Sequence, residues 1–95
     1  MAQRILSDDE LRLILTICEH EPTDEQRLSQ LLGWPSAHIS NMIQTLIDAT
    51  PGCAYGIVTA KMSRYGGSTI QHASDIRITS LGKQVCQTGS KIVNC

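Results

Sequence analysis

What this 95-residue chain lacks narrows it first. No window approaches the roughly 20 consecutive apolar residues that a membrane span needs. The start, Met-Ala-Gln-Arg-Ile-Leu, has no apolar signal core and turns acidic at once. A soluble, cytoplasmic protein is therefore expected. There is no G-x-x-x-x-G-K phosphate loop, no serine stands in a nucleophile elbow, and Gly66-Gly67 is an isolated pair. Catalysis is not expected. The four cysteines, Cys18, Cys53, Cys86 and Cys95, include no C-x-x-C pair, and no histidine pair has zinc-ligand spacing. They read as free thiols in a reducing compartment, with no metal and no cofactor. Without an internal repeat, low-complexity tract or linker, residues 1–95 read as a single domain.

The formal net charge is −1, but it is unevenly spread. Residues 1–50 hold eight acids against the three bases Arg4, Arg12 and Arg27. Residues 51–95 hold Lys61, Arg64, Arg77, Lys83 and Lys91 against Asp75 alone. The second half is expected to present a basic surface.

Helix signals fill the first half. Ser7 and Glu10 have capping-box spacing, Leu6 and Leu11 can staple across it, and Asp8, Asp9 and Glu10 suit the positive end of a helix dipole. Leu11, Ile14, Leu15 and Cys18 form an apolar stripe that should end near Glu21-Pro22. Thr23 with Gln26 reads as a second capping box, opening a short helix with Leu28, Leu31 and Leu32. Gly33 suits the left-handed residue that closes it. After Trp34, read as core, a third helix starts at Pro35 or Ser36. It buries Ile39, Met42, Ile43, Leu46 and Ile47 and exposes Ser36, Ala37, His38, Ser40, Asn41, Gln44 and Thr45. Pro51-Gly52 should terminate it.

The period then changes. Residues 54–63, with Tyr55, Ile57, Val58 and Thr59, read as a strand; residues 64–68 are a Gly-Gly turn, and residues 69–79 return. Thr79 or Ser80 should cap a short helix closed by Gly89, and Ile92-Val93 is the tail's apolar anchor. His20 and His72 read as surface residues.

Residues 25–44 resemble a helix-turn-helix. Leu28 and Leu32 stand at its first buried pair, small Ser29 at the helix crossing, Gly33 in the turn, and Ile39 and Met42 where the second helix packs back. The run Asp75-Ile76-Arg77-Ile78-Thr79-Ser80-Leu81-Gly82-Lys83 is similar to the last wing strand and following helix of small bacterial winged-helix regulators, the MarR-like and PadR-like repressors among them. The resemblance covers residues 7–88 and belongs to no single family. It implies an α+β, mainly α fold: a winged helix-turn-helix with a three-helix core, a two-stranded hairpin wing and a short C-terminal helix. The helix-turn-helix would span about 23–48, the wing 54–79 and the last helix 80–88. It also implies a double-stranded DNA-binding transcription regulator, a repressor or autoregulator acting as a homodimer.

On that reading, Asn41 and Gln44 contact base edges, because amide side chains can bond bidentately to adenine, and His38 joins them. Ser36, Ser40, Lys61, Arg64, Tyr65 and Arg77 contact the DNA backbone. The third helix, however, carries no Arg or Lys on its exposed face. That and the acidic first half favour an alternative: a winged-helix module that binds protein, as an adaptor, a dimerisation unit or an antagonist of another regulator.

Overall fold

The first helix forms where its capping residues place it. The computed structural model describes residues 3–49, 53, 55–64 and 71–94, with Arg64 and Gln71 in backbone only. Helix α1 runs Asp8–His20. Ser7 Oγ accepts from Glu10 N at 3.1 Å, and Ser7 N donates to Glu10 Oε1 at 3.0 Å. Leu13, Ile14 and Ile17 are fully buried. The helix ends before a cis Glu21–Pro22 peptide.

Helix α2, Glu25–Leu32, corrects the expected Thr23 cap. Its N-cap is Asp24, whose Oδ1 accepts from Arg27 N at 2.7 Å. Thr23 is engaged elsewhere: its N and O both pair with the backbone of Ile76, at 3.1 and 2.7 Å. Gly33 closes α2 with φ +71°, a left-handed conformation in which a Cβ would be strained. Helix α3 then runs Ser36–Ile47 from a Pro35 N-cap that has no side-chain bond. Leu28 of α2 and Ile39, Ile43 and Leu46 of α3 are fully buried. Ser29 Oγ donates to Trp34 O across the connection. The helix ends at Ile47, with Asp48 as C-cap; Pro51 and Gly52 lie outside the described residues.

Strands β2, Val58–Arg64, and β3, Gln71–Ile78, pair antiparallel. The register jumps between Thr59↔Arg77 and Lys61↔Ser74, so Ala60 alone opposes Asp75 and Ile76. This is a bulge, and Asp75 occupies it with φ +50°. The expected turn at 64–68 lies outside the described residues, apart from the backbone of Arg64. Helix α4, Ser80–Thr88, is capped by Thr79 Oγ1, which accepts from Gly82 N, and is closed by left-handed Gly89.

The chain ends join in a way that the sequence did not suggest. Strand β1, Gln3–Ile5, pairs antiparallel with β4, Ile92–Asn94. Val93 is fully buried, whereas Ile5 and Ile92, directly opposite each other, are exposed. Lys91 and Asp8 form an ion pair beside them. Among the described residues the fold is α+β and mainly helical: four helices, a two-stranded hairpin and this small terminal sheet.

The free-thiol expectation is also corrected. Cys18 of α1 and Cys86 of α4 form a disulfide, with Cα atoms 6.1 Å apart, within the usual span of such bonds. Cys53 is disulfide-bonded too. The spacing along the chain gave no hint of the Cys18–Cys86 bond, because its two residues meet only once α1 and α4 pack together. No helix among the described residues is long and apolar enough to cross a membrane.

Candidate functional site

Because α3 buries Ile39, Ile43 and Leu46, helical periodicity turns Ala37, His38, Asn41 and Thr45 outward along one row. Asn41 is exposed, and its backbone carbonyl accepts from Thr45 Oγ1 at 3.2 Å. Gln44 stands half-buried at the flank, and Ser36 is exposed on the first turn. Ser40 departs from the expectation: it is only 2% exposed, beside Ile39 and Ile43 on the inner face. A phosphate oxygen cannot reach it there, so Ser40 is removed from the candidate set.

His38 belongs to a cluster that the sequence did not reveal. Its ring meets Trp34 edge-on, with centroids 5.6 Å apart, and the Arg12 guanidinium lies 5.9 Å from the Trp34 ring centroid. Trp34 is half-buried against the core, with its ring available to Arg12 and His38. One cation from α1 is thereby placed beside the start of α3. Sequence spacing carried no signal for it, since Arg12 and Trp34 are brought together by the packing of α1 on the connection between α2 and α3.

On the hairpin, Thr59 pairs with Arg77, and Lys61 lies two residues from Thr59 on the same strand, so Lys61 and Arg77 share the outward face. Both are exposed. Arg77 Nε donates to Asp75 Oδ1 at 3.1 Å, so its charge is partly balanced. Arg64 is described in backbone only, and Tyr65 lies outside the described residues. Arg4 is turned toward the C-terminal end of α3, where its guanidinium donates to Thr45 O and Asp48 O at 2.9 and 3.0 Å.

Between α2 and the hairpin, reaching the first residue of α3, lies a groove of about 500 Å³, lined by Asp24, Glu25, Gln26, Ser36, His72 and Ser74 among others. Its charged lining is acidic, and Glu25 is buried. Glu25 Oε1 contacts His72 Nδ1 at 2.6 Å, and Glu25 Oε2 accepts from Ala73 N at 2.9 Å. His72, expected as a plain surface residue, is thus tied to α2. The structure brings His38 and Asn41 onto one helix face, turns Ser36 of the first turn toward the groove instead, and brings Lys61 and Arg77 onto one hairpin face.

Comparison with known proteins adds no relative. No family model, curated protein or solved structure matches the chain.

Proposed function

We propose that the protein is a winged helix-turn-helix that binds duplex DNA as a homodimer and regulates transcription, as a repressor or autoregulator. The observation that carries the reading is the outward row on α3. Its side chains, Ala37, His38, Asn41 and Thr45, include no Lys, Arg or acid, it follows a glycine-closed α2, and a hairpin arm with outward cations lies beyond it. A helix of this kind fits the major groove, where Asn41 and Gln44 can bond to base edges. Lys61 and Arg64 supply attraction to phosphates without regard to sequence, while the charge of Arg77 is balanced by Asp75. One copy offers few such contacts, so twofold binding is the natural route to useful affinity.

The reading places the protein with DNA in the cytoplasm. Disulfides persist mainly in oxidising compartments, so the Cys18–Cys86 bond weighs against the cytoplasmic part of the reading.

A second reading is favoured by the acidic groove at the foot of α3, since Asp24 and Glu25 repel phosphates. On that reading, the same face docks a protein. One titration separates the two. Purified protein is titrated against fluorescent random duplex at about 0.05 M salt and again at about 0.2 M. The DNA reading requires retention at low salt and release at high salt. No binding at low salt removes it and leaves the protein-binding module.

A further inference from the structure

Three backbone amides of β3 point away from its partner strand. Ile78 N donates to Glu21 Oε1 at 3.4 Å, Ile76 N to Thr23 O at 2.7 Å, and Ala73 N to Glu25 Oε2 at 2.9 Å. In a regular strand, amides facing one edge recur every second residue. Ile78 and Ile76 obey this, but Ala73 is three residues from Ile76. The bulge accounts for the step: Asp75, at φ +50°, absorbs the extra residue, so both Ile76 and Ala73 face the helices and both are buried. The bulge therefore aims Ala73 N at α2, and Glu25 is the group that receives it.

We propose that Glu25 is a positioning residue that sets the angle of the hairpin against α3. The hairpin is pinned at its base by Thr23 on Ile76. Glu25 braces it three residues farther out, about 10 Å along the strand. It takes two contacts there, Ala73 N and His72 Nδ1, from a residue only 6% exposed. An arm held only at its base, by Thr23 on Ile76 and Glu21 on Ile78, would pivot. The far end of β3 at Gln71 lies about 17 Å from Ile76, so a tilt of about 10° moves it by about 3 Å. That is enough to break a hydrogen bond to a phosphate, which needs atoms within about 3 Å. An apolar side chain at this place would leave the buried Ala73 amide without an acceptor, whereas the carboxylate satisfies it and fixes direction as well as distance. The use of the angle rests on the duplex-binding reading, but the brace itself does not.

The test uses the full chain, labelled with ¹⁵N. In the unaltered protein the Ala73 amide should be strongly protected from hydrogen exchange although it faces away from β2. Free exchange there overturns the proposal without any variant. Residual dipolar couplings then report orientation. The unaltered protein and Glu25→Gln, whose amide can still accept from Ala73 N, should fit α2, α3 and the hairpin to one alignment. Glu25→Ala should need a separate alignment for the hairpin. His72→Ala removes one of the two contacts in a milder change and should shift the hairpin less. If Glu25→Ala folds and keeps a single alignment, the brace is refuted. If Glu25→Ala does not fold, an unmoved hairpin in His72→Ala together with free exchange of Ala73 in that variant refutes it. In the DNA arm, Glu25→Ala should lower the ratio of selected-site to random-duplex affinity by roughly tenfold, with Glu25→Gln restoring it. A protein that never binds DNA removes the function reading, while the couplings still decide the brace.

Discussion

Replacing both Cys18 and Cys86 by alanine should lower stability by about 4 kcal/mol. The bond joins residues 68 apart, so it encloses α2, α3 and the hairpin in one loop. In the chain-entropy relation, such a loop removes about 15 cal/mol/K from the unfolded ensemble, or about 4 kcal/mol at 25 °C. A 95-residue chain unfolds with an entropy of about 200 cal/mol/K, so the midpoint should fall by about 20 °C. Both cysteines are only half-buried, so the cavity left behind adds little to that figure. Calorimetry without reductant reads the shift, and urea unfolding followed by circular dichroism gives the free energy independently. Thiol titration of the unaltered protein in denaturant should detect no free Cys18 or Cys86. A double variant melting within about 3 °C of the parent would refute the loop-closure argument. Free thiols at both positions would restore the reading of the cysteines as reduced.

Three further outcomes follow from particular contacts. Gly56→Ala should destabilise by about 3 kcal/mol or more, because a Cβ there would sit 2.1 Å from Ile47 O, and thermal melts will show whether the loop can shift. Trp34→Ala should cost about 2 kcal/mol, less than the roughly 3–5 of a fully buried tryptophan, since the residue is half-buried; a parental melting temperature with lost DNA binding would make Trp34 a contact residue instead. Asn41→Ala should weaken a selected site by about 1–3 kcal/mol and leave random duplex unchanged, so equal losses on both in paired titrations would remove α3 as the reader.

The parts of the fold that were legible are those fixed by neighbours in the chain. Ser7 with Glu10, Gly33, Thr79 and Gly89 each act within a few residues, and each caps the element it was expected to cap. Thr23 shows where such reasoning fails. Both Thr23 and Asp24 are good N-caps, and a backbone bridge to Ile76, 53 positions away, decides between them. The same distance problem hid β1 against β4, Cys18 against Cys86, and Glu25 against His72. Four cysteines admit three full pairings, and nothing local selects one. Ser40 is a different case, because a signal was present. Its position falls inside the stripe defined by Ile39, Ile43 and Leu46, so helical phase places it inward despite its polarity.

Charge shows how packing alters a conclusion drawn from counting. The second half carries five cations, but Lys91 is paired with Asp8 and Arg77 with Asp75, and Lys83 stands on α4, which packs mainly against α1. Exposed Lys61, together with Arg64, whose side chain lies outside the described residues, stands as the proposed phosphate contact toward the hairpin's outer end. Each neutralised phosphate contributes a slope of about −0.9 in log affinity against log salt. Two contacts per copy give about −3.6 for a twofold dimer, against about −9 if all five cations engaged. Affinities for random duplex measured between about 0.05 and 0.3 M salt should therefore fall along the shallower line. Lys61→Ala should flatten that line by roughly two units in a dimer, one for each copy. A slope near −9 would mean that both ion pairs open on DNA and that α4 also reaches it. A slope near zero would mean that the hairpin meets no phosphates, and the acidic groove beside α3 would then decide in favour of a protein partner.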